Sequence, residues 1–585
     1  RRRAPAARSP PSRRRGGGAG ARRTRVAAAG PPHARQRGAA GGEPAERRRG
    51  AMFVWCPEED GAHAPGRAAQ VWLREALRSL GAGLAALGSP LVLRRARCYA
   101  EALLEVAREV GACSVHFARR YEPLCRQADE RTAERLRAEG VEAHGHAGYL
   151  LYEPAAIDVR RGYTSGHWGT LMPFCNACRA LGEPRRPLPA PQRLRAPAAR
   201  PGSEALEALG LEAGVAPGGQ DWGASLRAAW PGISEGCALA CMQEYVQRQD
   251  GLQAYEQQRS RADLEANPNS KLSAFLRWGQ LSPHDLFWAV RDAGLPREQT
   301  KTFGRRLFWR DLAYFQMHHF PEMQRKGIRA HYDATQWRDP GDGMLRCWQR
   351  GRTGYPLVDA SMRELRATGW VQQNMRMVAA SFLTEFLNIS WVEGARWYED
   401  QLVDSDVAIN SMMWQNAGRS GADQWNFRTS PVSAKSQDPS GAYVRRWLPE
   451  LARLPTRFLH KPWEAPPDVL AHAGVQLGAS YPERCIADLA AAREEAKEAT
   501  LAARRSVAAT WMNDAEGYDV VALPDGTATK LFTRRELRLT SDGRPLTPAA
   551  RPPPQPGRAG RASGSGRARS GGGRHPKQRR RRPEE

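Results

Sequence analysis

From Met52 onward, short apolar runs alternate with amphipathic stretches: MFVW at 52–55, a helical pattern from Val71 to Leu87, LVLRR at 91–95, Tyr99 to Val110, SVHFA at 114–118, Glu130 to Glu139 and VEAHG at 141–145. Strands alternating with helices predict a parallel sheet covered on both faces, an α/β domain of Rossmann-like type over 52–158. Residues 159–225, with PRRPLPAPQ at 184–192 and a Gly-rich stretch at 217–223, read as an inter-domain connector. From 226 to 486 helical periodicity dominates and aromatics are dense, which predicts an all-α second domain. One of its helices carries Arg376, Met377, Phe382, Leu383 and Phe386 at helical spacing. In the C-terminal extension, 487–585, residues 487–503 read as a charged helix and 520–532 as a hairpin around Asp525-Gly526, with the rest expected to be mostly disordered.

Composition changes this picture at the ends. Residues 1–50 hold fifteen Arg against two Glu and almost no aromatic or β-branched residues. They cannot bury enough surface to offset their ordering entropy, so 1–51 is expected to be a disordered Arg-rich segment. The chain opens on Arg1 rather than Met, which we read as an incomplete or mistranslated 5′ end, an Arg-rich transit peptide being the alternative. The net charge of +26 looks like a nucleic-acid-binding signature, but +13 lies in 1–50 and +9 in 551–585, leaving +4 for the 500 residues between. A basic groove in the folded part therefore cannot be argued from charge. Ten cysteines are scattered, and the CxxC of Cys175 and Cys178 lacks a second pair at zinc-ribbon distance. Buried reduced thiols and no metal are expected. No run approaches the roughly 20 apolar residues of a membrane helix, so the expectation is a soluble intracellular protein with no membrane partner.

Four segments of the helical half carry candidate chemistry. Asn269-Ser270-Lys271-Leu272-Ser273 enters an amphipathic helix, and small hydroxyl and amide side chains at a helix start offer free N–H groups to a diphosphate. An ordinary N-cap has the same pattern. Tyr255 and Arg259 lie upstream. In Phe303 to Asp311, Arg306 and Arg310 share a helical face with Phe303. In WVQQNMRM at 370–377, Arg376 sits among apolar neighbours and needs an anion, for which Asp404 is the natural partner. In Asp404 to Asn416, Asp406 is placed to accept from an imide-like N–H, and Asn410 and Trp414, four apart, face one ligand surface or an aromatic core.

The run Gly351-Arg-Thr-Gly-Tyr-Pro-Leu-Val-Asp359, then Met362-Arg-Glu-Leu365, Thr368-Gly-Trp370, Asp404-x-Asp406, Trp414-Gln415 and Tyr443 to Leu451, resembles the signature of the photolyase/cryptochrome family. Val54 to Glu59, Pro65-Gly-Arg67 and Leu150-Leu-Tyr-Glu-Pro154 are similar to plant-type cryptochromes, and the whole is nearest to plant-like cryptochromes of algae. The likeness spans about 52–486. It implies an α/β antenna domain and an all-α FAD-binding domain with disordered basic tails. FAD would lie bent, with Tyr255, Ser270, Lys271, Leu272, Ser273 and Arg310 at the phosphates and ribityl chain, and Asn269 where Thr is usual. Arg376 with Asp404 would form the ion pair at the flavin, Asp406 the isoalloxazine contact, and Asn410 would face N5. Trp414, Trp391 and Trp337 match the family's electron relay, inner to outer. A second chromophore, a folate (methenyltetrahydrofolate) or a deazaflavin, is implied, and Glu122 matches a position that contacts a folate antenna, a surface Glu being the alternative. The family's opening strand has no counterpart before Met52, so the first strand of the sheet is expected to be missing and residues 1–51 to be a gene-model artefact.

Departures from the family set the functional expectation. Arg306 stands where dimer photolyases carry Glu, Gln373-Asn374 replaces their Asn-Arg, and Asn416 replaces their second Trp. The positions of the two His of (6-4) photolyases hold Gln373 and Met377. Trp309, Met377 and Asn410 are photolyase-like. The reading is a cryptochrome-type blue-light photoreceptor photoreduced through its tryptophans, with a light-driven pyrimidine-dimer lyase, acting on DNA generally or on single strands alone, as the alternative. Signalling proteins would bind through the C-terminal extension, and weak DNA binding through the Arg-rich tails stays open. Pro576 to Arg582 resembles a nuclear signal, so nucleus or cytoplasm is expected, with chloroplast open.

Overall fold

The structure, a computed structural model, describes residues 24–29, 48–159, 169–216, 218–422, 429–432, 437–506, 512–513, 518–523, 526–539 and 543–545. Strands β1 (Thr24–Ala29), β2 (Arg48–Trp55), β3 (Leu91–Arg95), β4 (Ala112–Ala118) and β5 (Glu142–His146) form a parallel sheet in the order β3-β2-β1-β4-β5. Strand β2 shows why both faces are covered. Phe53 and Trp55 point into a core with helix α1 (Arg67–Ala86), whereas Met52 and Val54 point into another with helix α2 (Tyr99–Val110), and helix α3 (Pro123–Ala138) closes the second. Period-two alternation of all-apolar residues is what a sheet buried on both sides requires.

The expected loss of the opening strand is corrected here. Thr24–Ala29, TRVAAA, occupies the centre of the sheet, with Val26 opposite Gly50 on β2 and Val115 on β4. Residues 1–23 and 30–47, also expected to be disordered, lie outside the described residues.

The connector is less loose than its composition suggests. Helix α4 (Leu171–Ala180) buries Phe174, Cys175 and Cys178, and the Phe174 ring lies 5.5 Å from Phe315. Both thiols are unbridged. The two halves share a core: Trp72 of α1 donates to Gln280 Oε1 at 3.0 Å and meets the Trp230 ring edge-on at 4.8 Å. Beyond it the helical half is built on α5 (Ser273–Arg277), α6 (Arg297–His319), α7 (Pro356–Thr368), α8 (Gln373–Ser381), α9 (Trp391–Gln401) and α10 (Val407–Ala417).

Disorder does not extend over the described part of the C-terminal extension. Asp488 caps helix α11 (Leu489–Arg505), and β6 (Met512–Asn513), β7 (Tyr518–Ala522) and β8 (Ala528–Phe532) form an antiparallel sheet. Buried charges fasten it: Arg419 and Arg534 both reach Glu385, at 3.1 and 2.9 Å, and Arg329 and Arg504 both reach Asp519 at 2.8 Å. Such charges are tolerated in a dry site only when paired. The nuclear-signal residues 576–582 lie outside the described residues. Among the described residues no helix is long and apolar enough to cross a membrane, and no group of three His, Cys, Asp or Glu side chains is suited to a metal ion.

Candidate functional site

Two cavities of about 240 and 50 Å³ share Gln373, Arg376, Asp404, Asp406 and Ile409 as walls. Tyr255, Asn269, Ser270, Lys271, Leu272, Ser273, Arg306 and Arg310 line the larger one. Helix α5 is only five residues long, so the amphipathic helix read from sequence is corrected to a single turn with little dipole. What positions the loop is side-chain bonding: Asn269 donates through Nδ2 to Gln372 Oε1 at 2.9 Å, and Trp370 Nε1 donates to Ser273 Oγ at 3.1 Å. Lys271 has φ of +52°, a left-handed conformation uncommon away from glycine. Its ammonium sits 5.3 Å from the centre of the Trp370 ring and 5.8 Å from that of Trp230, and burial lowers its pKa. Arg310 is buried, donates through Nη1 to Tyr149 O at 2.6 Å, and leaves Nη2 without a hydrogen-bond partner. A desolvated ammonium and an orphaned guanidinium N–H on one cavity fit a diphosphate, which supplies the acceptors both lack.

At the other end Arg376 donates through Nη2 to both oxygens of Asp404, at 3.1 and 2.9 Å, and through Nε to Val371 O. Asp406 caps α10 by accepting from Ile409 N at 3.1 Å. Its other oxygen accepts from the hydroxyls of Tyr149 and Tyr314, each at 2.7 Å. Burial, reinforced by the Asp406 charge, pushes Tyr149 up to about 12 and Tyr314 well above its ordinary value, so both phenols keep their protons and donate. Asn410 donates through Nδ2 to Ala395 O at 3.1 Å, and it lines the smaller cavity with Tyr398 and Trp414. With one N–H so placed, the carbonyl oxygen and the second N–H are left for a ligand.

The three tryptophans expected to form a relay differ in burial, Trp414 and Trp391 being buried and Trp337 half-buried. Trp414 is buried on the cavity wall, 5.2 Å from the Tyr398 ring and 6.2 Å from Trp348. It fits there because Gly394 of α9 has no side chain; a Cβ would stand 2.2 Å from the indole. Trp391 is buried at the start of α9, against Gly418 at the end of α10. Trp337 is half-buried, and Arg419, next to Gly418, has its guanidinium 5.9 Å from that ring. The end of α10 thus gathers the outer two tryptophans behind Trp414.

Glu122 borders a cavity of the α/β half with Asp60, His63, Tyr99 and Arg120. It is buried, not on the surface, and it does not line the large cleft beside α3. It accepts weakly from Tyr314 at 3.4 Å and lies 3.7 Å from Arg277. A buried carboxylate needs such a cation. Arg306 donates through Nε to Tyr255 OH at 3.1 Å on the cavity wall, Asn416 is buried, and Trp309 is half-buried. Tyr149, Tyr314, Tyr398 and Arg277 were not legible as site residues. A signal existed for one: Tyr314 follows Arg310 by four on α6, so both share a face.

Residues 303–502 match the family described as the FAD binding domain of DNA photolyase, and residues 39–192 the family described as DNA photolyase. The chain is 36% identical over 459 residues to the deoxyribodipyrimidine photo-lyase of Agrobacterium fabrum, covering 77% of this chain and 91% of that protein. It is 33% identical to cryptochrome-2 of Arabidopsis thaliana, covering 76% and 73%. A crystal structure of a class III photolyase from Agrobacterium tumefaciens superposes with a TM-score of 0.72 at 33% identity, covering 78% of this chain and 92% of that one.

Proposed function

We propose a function from the premise that the chain belongs to the photolyase and cryptochrome family: it is a cryptochrome-type blue-light photoreceptor holding FAD between Tyr255 and Trp414. Bound FAD supplies the light-absorbing oxidant. Trp414, on the cavity wall, gives up an electron, Trp391 refills Trp414 and Trp337 refills Trp391, so the hole ends at a half-exposed ring. Lys271 and Arg310 hold the diphosphate, and Arg376 with Asp404 borders the ring.

The observation that carries sensing over repair is Arg306. It stands where the resemblance puts the acid of dimer lyases, and it is engaged with Tyr255. A carboxylate accepts from a pyrimidine N–H, whereas a guanidinium only donates. The aromatic wall that Asn416 replaces is worth on the order of 1–3 kcal/mol of base stacking. The second reading, a light-driven dimer lyase, is favoured by half-buried Trp309 beside Arg310 and by the likeness to the Agrobacterium photolyase. Repair turnover of cyclobutane dimers under blue light, with the flavin fully reduced, decides. Negligible repair of duplex substrate is expected, and robust duplex repair would promote the lyase.

A second chromophore, folate or deazaflavin, belongs to the same proposal, in the cleft of about 410 Å³ lined by Arg119, Tyr121, Arg137, Glu153 and His318. So do signalling partners of the C-terminal extension, weak DNA contact, and a nuclear or cytoplasmic place. A near-ultraviolet band that excites the flavin by energy transfer, lost on Tyr121→Arg, would support the cleft as the site; a band that survives the substitution would oppose it.

A further inference from the structure

We propose that Tyr149 and Tyr314 are positioning residues of the flavin site, fixing the Asp406 carboxylate so that its remaining acceptor position serves the ring. The inference rests on the FAD reading above and adds residues to it. An ionised carboxylate offers about four acceptor positions. Here three are used, one by Ile409 N and two by the phenols. Asp406 borders both cavities, so what it has left is available to a ligand there.

Tyr149 acts at both ends of the site. Its hydroxyl holds Asp406 at the ring end, and its carbonyl oxygen accepts from Arg310, which lines the diphosphate end. The Arg310 guanidinium also stacks 3.8 Å from the Tyr149 ring centre, and Tyr149 and Tyr314 meet edge-on at 5.6 Å. Tyr149 follows β5 and belongs to the α/β half, whereas Asp406, Arg310 and Tyr314 belong to the helical half. Arg277 adds a second tie between the halves: it donates through Nε to Ser405 O at 2.7 Å, next to Asp406, and faces Glu122. The α/β half thereby supports the flavin site through Tyr149, which lines neither of its cavities. Preorganised side chains bind more tightly than mobile ones because their ordering cost is met on folding.

Phenylalanine fills the volume of either tyrosine and removes only the hydroxyl, so the test is a double-mutant cycle on the full chain. FAD is titrated into the flavin-free wild type, Tyr149→Phe, Tyr314→Phe, Asp406→Asn and the Tyr149→Phe/Asp406→Asn pair. Each tyrosine variant is expected to lower the flavin-free melting temperature, because its bond to Asp406 is made without the flavin, and to bind FAD up to about tenfold more weakly as the carboxylate loses its preorganisation. On the Asp406→Asn background, Tyr149→Phe is expected to cost about twofold or less, because coupled residues do not add. Wild-type affinity in both tyrosine variants overturns the inference, and so does an equal loss on both backgrounds, which would place the effect elsewhere than Asp406. If Tyr149→Phe does not fold, Tyr314→Phe alone carries the test. A wild type that takes up no FAD removes the underlying reading, and that is seen before any variant is made.

Discussion

Arg504 and Asp519 form a fully buried ion pair in which Nη1 lies 2.8 Å from Oδ2 and Nη2 2.9 Å from Oδ1, while Arg329 donates to the same Oδ2 at 2.8 Å. One carboxylate of β7 therefore ties the C-terminal sheet to α11 and to the body of the helical half. Burial alone would raise its pKa, yet His331 and the two guanidiniums hold it well below the carboxylate range. In Asp519→Asn two buried cations face a neutral amide, which costs on the order of 3–5 kcal/mol. The expected outcome is release of β7 and β8, seen as faster hydrogen exchange of the 518–532 amides and faster tryptic cleavage there. Unchanged protection would mean that the strands are held by their other contacts.

Asp404→Ala is expected to weaken FAD binding strongly. It leaves Arg376, half-buried beside the cavity, with the Val371 carbonyl as its remaining acceptor. Removing one member of such a partly exposed pair costs on the order of 1.5–3 kcal/mol, about ten- to a hundredfold if it falls on binding. The absorbance ratio of flavin to protein after gel filtration measures it. A stoichiometric ratio would show that Arg376 is not at the ring.

Legibility followed the range of the interaction. The two-faced sheet could be read because MFVW is all apolar, and Arg376 with Asp404 because a cation among apolar neighbours needs a carboxylate. Strand β1 could not: TRVAAA, with one Val and three Ala inside an Arg-rich stretch, has weak β propensity, and its place is set by pairing with β2 and β4. The docking of the C-terminal strands depends on Arg329 meeting Asp519 across 190 positions, which no local pattern records. Tyr149 escaped for the same reason, since its hydroxyl meets Asp406 only when the two halves pack.

Glu364 is a buried carboxyl next to the Lys271 loop, accepting from Tyr443 OH at 2.6 Å, and burial pushes it up to about 7. The folded protein then keeps a proton that the unfolded chain has lost above the ordinary carboxyl range. The stability this gives is fully present below that range and lost as pH rises through about 7. Buried His284, lowered to about 4 by desolvation, acts in the opposite sense, so the informative quantity is a difference. Relative to Glu364→Gln, the wild type is expected to lose up to about 1.4 kcal/mol of unfolding free energy per pH unit between about pH 5 and 7. Urea titrations of both proteins across that range measure it, and parallel curves would count against the shift.

Trp391→Phe is expected to suppress blue-light photoreduction while leaving FAD binding within about twofold of wild type. Trp391 lies against Gly418 and is not among the residues lining either cavity, so the substitution leaves the cofactor walls intact. Phenylalanine fills most of the indole volume, and volume-conserving apolar swaps usually cost less than about 1.5 kcal/mol. It is far harder to oxidise than tryptophan, so an oxidised Trp414 has no neighbour on this route to refill it and the electron returns. Tyr398 and Trp348 also touch Trp414, at 5.2 and 6.2 Å, and form the competing route. The measurement is the photoreduction yield with an external donor present, in Trp391→Phe and in Tyr398→Phe. A yield that survives the first substitution and collapses in the second would move the path from α10's far end to the cluster around Trp348.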